Sequence, residues 1–419
     1  MRRLDRAAIL AVGSELLTPS RLDTNSLRIT EQLNLIGVGV VFKSVIGDDR
    51  EELGRAVRAA LDRVDVIVCS GGLGPTDDDV TREVVAEVLG RPLAEDERIA
   101  ARIRARFETR GLRMPDINRR QAMVPAGAIV LENTKGTAPG LWLEEGDRVI
   151  VLLPGPPREL EAMLAPLVEG ELKARASGFA IVRRTVRVAG RTESHTEEAV
   201  RPLYGRWSQA TVPVAATILA SLGQIELHLS ARAASREQAE AAVELASREV
   251  EDALGLDAFS RDGRTLEEVV GSMLLERGLR IAVAESCTGG LLTSRLTDVP
   301  GSSRYVQAGV VAYANEEKTA ILGVPPTLIE AHGAVSEPVA VAMAEGIRTR
   351  TGTDIGIGVT GIAGPGGGTP QKPVGTVVVA AALPRQTRSR LFRFVGDRQM
   401  VKFQAAQAAL DLVRRMLLS

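Results

Sequence analysis

Along the first 170 residues, continuous apolar runs alternate with segments whose apolar positions recur every three or four residues. "AAILAV" precedes a helical pattern from Asn25 to Leu35. "GVGVVFKSVI" precedes "REELGRAVRAALDR", and "VDVIVCS" precedes "DDDVTREVVAEVLG". Strands that are apolar at every position are buried on both faces, so this alternation predicts a parallel α/β sheet with helices on either side. A later run, "DRVIVLLPGPP", ends in a Pro/Gly stop before a helix from Arg158 to Leu167.

The pattern changes over 171–257. "FAIVRRTVRVAG" and "GQIELHLSAR" alternate as half-buried strands do, and "RTESHTEEAVRPL" and "SREQAEAAVELASREVEDALG" read as helices. This predicts a small α+β module, with "FSRDGR" as the linker that follows. From 258 to 419 a second α/β unit is expected. It runs through the helix "TLEEVVGSMLLERG", the strands "LRIAVAE", "IGIGVTG" and "GTVVVAAAL", and a long last helix from about Gln399. The fold class predicted is α/β, with two mainly parallel α/β domains (1–170 and 258–419) joined by the α+β module.

Composition narrows the function classes. With 45% hydrophobic and 25% charged residues over 419 positions, the chain has the make-up of an ordinary globular protein. No apolar run reaches the ~18–20 residues that span a bilayer. The basic tip of "MRRLDRAAILAVGSELL" leads into a short run that reads as a strand, so no signal peptide and no membrane partner are expected. A formal net charge of −1 gives no global field to recruit nucleic acid. The two cysteines, Cys69 and Cys287, form no disulfide framework and point to a reducing cytoplasm. His195, His228 and His332 lack metal-ligand spacing, so any metal would be held by carboxylates.

Two stretches carry candidate chemistry. "SGGLGPTDDDVT" (70–81) lies between a buried strand and a helix. Gly71, Gly72 and Gly74 permit tight turning and close approach to a ligand, and the helix start offers free N–H groups to a phosphate. Asp77, Asp78 and Asp79 stand there as metal ligands or as helix caps. Asp48 and Asp49 in "VIGDD" end another strand, at the edge where open parallel sheets bind ligands, or else form a turn before the next helix. Two acidic pairs beside a glycine loop suggest a magnesium- or cobalt-assisted phosphate site.

The second stretch is "AVAESCTGGLL" (282–292). A side chain at a strand-to-helix turn projects at the sheet edge beside main-chain N–H groups, which provides a nucleophile and an oxyanion hole from one local element. Ser286 is the first candidate, Cys287 the rival, and Thr288 a donor to substrate. No histidine is near in sequence. Lys318 in "YANEEK" is the candidate base, with Tyr313 relaying or orienting the proton. Thr360 in "VTGIAGPGGG" would hold the substrate or its oxyanion, and Arg398 in "GDR" would sit at a helix start suited to a phosphate.

Those segments, with "GSELL", "DTNS", "LPGPP", "PGSS", "HGAVSEP" and "KPVGTV", occur in the order found in the CinA family (competence/damage-inducible protein), which this chain resembles over its length. The resemblance implies a molybdopterin-binding-like N-terminal domain associated with ADP-ribose hydrolysis, a KH-like middle module, and a nicotinamide mononucleotide deamidase domain. By that resemblance Ser286, Lys318 and Tyr313 are catalytic, without a cofactor. Thr288, Gly289, Gly290, Ser302, Thr360 and Arg398 bind substrate, with Arg398 on its 5′-phosphate. In the N-terminal domain Gly71, Gly72, Gly74, Thr76, Asp48, Asp49 and Thr81 bind nucleotide, and Asp78 and Asp79 hold a divalent metal. A homodimer is implied. The middle module lacks a G-x-x-G loop between its helices, so a structural or dimer-forming role is favoured there over RNA binding. Non-catalytic molybdopterin or nucleotide binding and a competence-related role are the alternatives.

Overall fold

The computed structural model describes residues 3–419. Each expected apolar run forms a strand. In the N-terminal domain they build a six-stranded sheet in the order Gly39–Ile46, Arg6–Val12, Val66–Ser70, Arg148–Leu153, Gly140–Glu145, Ile129–Leu131. The first four strands run parallel. The last two are antiparallel additions, closed by the turn between Glu145 and Arg148. Alternate side chains serve two cores. Ile9, Val68 and Val151 pack with helices Asn25–Leu35 and Pro157–Leu167. Leu10, Ile67 and Ile150 pack with helices Arg50–Leu61 and Thr81–Val88. Each such side chain taken fully out of water contributes about 1.5–3 kcal/mol.

The C-terminal sheet has the order Val306–Val311, Ile281–Glu285, Ile355–Gly361, Thr376–Ala382, Thr387–Arg393. The first three pair parallel and the last two are added by antiparallel pairing, so both α/β sheets are mixed. On one face lie helices Leu266–Arg277 and Arg398–Leu418, and on the other helix Glu337–Thr351. Two glycines set that second contact. A Cβ on Gly356 would stand 2.1 Å from the Ala344 carbonyl oxygen, and one on Gly358 2.3 Å from that of Ala340. Only bare backbone lets the helix lie so close to the strand.

The middle segment forms a four-stranded sheet, Val214–Ser221, Gln224–Ala233, Ala180–Val188, Ala258–Ser260, with helices Glu193–Ser208 and Arg236–Leu254. Two of its strand arginines are neutralised: Arg184 pairs with Glu244, and Arg187 with Glu226 at 3.5 Å. The chain divides into two compact units. One runs through Val182 and takes in Ala231–Ala241; the other holds Arg183–Ser230 and Ala242–Ser419. Among the described residues no helix is long and apolar enough to cross a membrane.

Candidate functional site

In both sheets the first strand of the domain has later strands on either side. The loops leaving adjacent strand ends therefore part in opposite directions and leave a crevice at the carboxyl edge. Each crevice holds part of the candidate set of its domain.

The N-terminal crevice has a volume of about 670 Å³ and lies between Val12–Gly13 and Ser70–Gly74. Gly71 has φ +108° and would place a Cβ 2.1 Å from the Val12 carbonyl oxygen; Gly72 has φ +65°. Thr76 donates its N–H to Asp79 at 2.9 Å and shares its hydroxyl with the Asp79 and Asp78 carboxylates, which holds Asp78 below its ordinary value. Buried Arg82 supports the loop from beneath, donating to the Leu73 carbonyl at 3.0 Å and the Arg120 carbonyl at 2.8 Å. Arg120 in turn donates to the Thr76 carbonyl at 2.7 Å.

Three sequence expectations need correction here. Asp49 is not in the crevice: it caps helix Arg50–Leu61, accepting from the Glu52 N–H at 2.8 Å. Thr81 is wholly buried and donates to the Gly71 carbonyl at 2.8 Å, stapling the loop from behind rather than facing a nucleotide. The three aspartates do not cap the following helix, whose N-cap is Val80. Asp48, Gly71, Gly72, Gly74, Thr76, Asp78 and Asp79 do line the crevice. So does Asn25, which the sequence reading passed over. Its amide joins the Ser70 hydroxyl (2.9 Å) to the Gly155 carbonyl (2.8 Å), and so ties two strand-end loops together.

Six carboxylates (Glu15, Asp23, Asp48, Asp78, Asp79, Glu159) line this crevice against one arginine, Arg21. Among the described residues no three His, Cys, Asp or Glu converge as a metal cage. One or two of these carboxylates could hold a divalent cation, as magnesium is commonly bound.

The C-terminal crevice is smaller, about 210 Å³. It brings together Ser286, Cys287, Tyr313, Lys318, Thr360 and Arg398 with Asn315, Ala334, Val335, Gly361 and Ala363. Ser286 follows the buried strand Ile281–Glu285 and anchors its N–H on the Val359 carbonyl at 2.9 Å. Its hydroxyl has no protein partner among the described residues. Lys318 lies in helix Asn315–Leu322 and is 1% exposed. Its Nζ donates to the main-chain oxygens of Tyr313 (3.0 Å) and Ala314 (3.5 Å), and burial pushes its pKa below the ordinary lysine value.

Tyr313 departs from expectation. Its ring is exposed, and its hydroxyl accepts from Arg398 at 3.0 Å instead of reaching the lysine. Arg398 also donates to the Gly364 carbonyl at 2.8 Å, and no carboxylate among the described residues pairs with it. Thr360 donates to the Ala334 carbonyl at 2.8 Å, holding a wall of the crevice. Cys287 packs into the core beside Leu292 and Val359, and burial pushes its thiol up to about 12.

Thr288, Gly289, Gly290 and Ser302 do not line the crevice. Thr288 is wholly buried, and Ser302 donates to the Thr297 carbonyl at 3.3 Å. The glycine N–H groups expected to form an oxyanion hole are taken: Gly289 donates to the Ser286 carbonyl and Gly290 to Glu285. Glu285 is a second residue the sequence reading missed. Its signal was an acid closing an otherwise apolar buried strand.

Comparison with known proteins covers the same three segments. Residues 8–174 match a "Probable molybdopterin binding domain", 183–260 the "Damage-inducible protein CinA KH domain", and 263–417 the "CinA C-terminal domain". A CinA-like protein of Koribacter versatilis is 48% identical over 416 residues, which is 98% of this chain and 100% of that one. Another from Acidobacterium capsulatum is 48% identical over 421 residues, with 98% and 100% covered. One from Dictyoglomus thermophilum is 41% identical over 414 residues, with 99% and 100% covered.

Proposed function

The chain belongs to the CinA family, and from that premise we propose that its C-terminal domain hydrolyses the carboxamide of nicotinamide mononucleotide, giving nicotinate mononucleotide and ammonia. One observation carries this reading: an unpartnered serine hydroxyl shares a crevice with a buried lysine whose N–H groups are already engaged. A neutral amine has two N–H bonds and one lone pair. Two carbonyls take the N–H bonds, so the lone pair is left to accept the Ser286 proton. Burial favours that neutral form.

The rest of the crevice suits the substrate. Its volume is below the 300–1,000 Å³ typical of pockets that enclose a drug-sized ligand, so it takes the nicotinamide ring and leaves ribose and phosphate towards the mouth. There Arg398 offers an uncompensated guanidinium to the phosphate. Ser286 attacks the carboxamide carbon as its proton passes to Lys318 Nζ. Lys318 then returns the proton to the departing nitrogen, and water hydrolyses the acyl-serine by the same route. The test is ammonia release from nicotinamide mononucleotide by the wild type and by Ser286→Ala. Folded wild type that releases none overturns the reading.

For the N-terminal domain the supporting observation is a glycine loop inside a crevice rich in carboxylates. A dinucleotide such as ADP-ribose would enter it with a divalent cation, magnesium or cobalt, that neutralises phosphoryl charge, with Asp78 and Asp79 as its holders. AMP released from ADP-ribose only when the cation is added supports hydrolysis. ADP-ribose that binds without releasing AMP supports a binding role.

A further inference from the structure

We propose that Glu285 is the positioning residue of the nucleophile turn, and that it leaves the main-chain N–H of Cys287, next to that of Thr288, as the donor for the substrate's developing oxyanion. This rests on the amidase reading above and specifies how that site stabilises its transition state.

Glu285 is the last residue of a strand buried at every position, and none of its surface is exposed. An acid there is costly unless hydrogen bonds meet it. Four do. Oε2 accepts from the N–H groups of Gly290 (2.9 Å) and Leu292 (3.1 Å). Oε1 accepts from the N–H (2.8 Å) and hydroxyl (2.6 Å) of Thr293. The side chain thus binds the end of the strand to the start of helix Leu291–Asp298. Ser286 and its neighbours are fixed between the two.

Accounting for the remaining N–H groups of the turn isolates the donor. Ser286 donates to the Val359 carbonyl, Gly289 to Ser286, Leu291 to Thr288 and Ser294 to Gly290. Among the described residues the N–H groups of Cys287 and Thr288 donate to no other residue, and the Cys287 N–H meets only its own thiol. The Thr288 hydroxyl is likewise buried without a partner. Cys287 lines the crevice directly after the nucleophile, the position whose N–H serves the oxyanion in strand–nucleophile–helix turns. When the Ser286 Oγ–C bond forms, the carbonyl electron pair moves onto oxygen, and that charge meets the Cys287 N–H. As the pair returns, the C–N bond breaks and ammonia leaves with the proton carried by Lys318.

The test compares steady-state ammonia release from nicotinamide mononucleotide by full-length wild type, Glu285→Gln, Thr293→Val and Thr293→Ser. The glutamine amide cannot accept at both ends, so the turn loosens. Its kcat should fall about 10²-fold, the loss seen when one oxyanion donor is removed, with KM within about threefold. Thr293→Val deletes one hydroxyl bond to Glu285 and should lower kcat by about 3- to 10-fold, while Thr293→Ser restores it. Wild type without turnover overturns the amidase reading and this proposal together. With wild-type turnover, an unchanged kcat, or a raised KM at constant kcat, overturns the positioning role alone. If Glu285→Gln fails to fold, the Thr293 pair decides by the same criteria.

Discussion

Lys318 and Tyr313 meet through the tyrosine's main chain: the lysine Nζ donates to the Tyr313 carbonyl oxygen at 3.0 Å, while the tyrosine hydroxyl turns outward to Arg398. The pairing assigns separate tasks to one residue. Its main-chain oxygen holds the Lys318 amine, and its hydroxyl holds the Arg398 guanidinium. Tyr313→Phe should therefore retain the base and disturb only the mouth, raising KM by about 3- to 10-fold, the worth of one lost hydrogen bond, at nearly constant kcat. A kcat collapse in that variant would put the hydroxyl back in the proton path.

The nucleophile assignment is separable from the reaction. Burial holds the Cys287 thiol near 12, so thiolate is scarce at neutral pH and the serine is the better placed attacker. Ammonia release should fall by at least about 10³-fold in Ser286→Ala and should persist in Cys287→Ala. The reverse result would keep the amidase and transfer the nucleophile to sulfur.

Among the described residues Arg398 makes no ion pair, and it spends its donors on a carbonyl and a hydroxyl. Arg398→Met should raise KM for nicotinamide mononucleotide about 10- to 100-fold, the range for hydrogen bonds to a charged group. Nicotinamide riboside, which lacks the phosphate, should be hydrolysed no worse by the variant than by wild type. An equal loss on both substrates would remove the phosphate role.

Legibility followed the physics of each signal. Continuous apolar runs marked the strands because full burial leaves one composition available to them. The antiparallel direction of Thr376–Ala382 and Gly140–Glu145 was not readable, since an antiparallel addition and a parallel strand share that composition. Among site residues, those projecting from strand ends into a crevice were identified: Ser286, Thr360, Asp48. Those whose side chains turn back on their own loop were misread as ligand contacts, because a cap and a ligand donor have the same chemistry. Asp49 on the Glu52 N–H and Thr81 on the Gly71 carbonyl are such cases. Glu285 escaped notice because its partners lie five to eight residues ahead, across a turn whose path only the fold defines.

Gly71 supplies a test that separates the two crevices. At φ +108° an alanine is strained, by about 1–3 kcal/mol, and its Cβ would meet the Val12 carbonyl oxygen. The loop must move, and Thr76 and Asp79 move with it. Gly71→Ala should lower cation-dependent AMP release from ADP-ribose by at least about tenfold while leaving ammonia release from nicotinamide mononucleotide as in wild type. Both are measured on one preparation.

The pKa of Lys318 links catalysis to stability. Burial lowers it in the folded chain, so at intermediate pH the unfolded chain binds the extra proton. Stability then rises with pH across the interval between the folded value and the ordinary lysine value. Below that interval the folded protein carries the full cost of a buried charge, and above it the cost vanishes. The rate should follow the same titration: kcat/KM climbs with pH through an apparent pKa below 10.5, because only the neutral amine accepts the serine proton. Lys318→Met removes both effects. It should abolish ammonia release and raise the melting temperature at pH 7, because the cost of the buried amine is removed. That gain should shrink as the pH approaches the ordinary lysine value. A variant that melts lower than wild type at pH 7 would mean that the two carbonyls more than compensate the buried ammonium, and Lys318 would then be charged in the resting site.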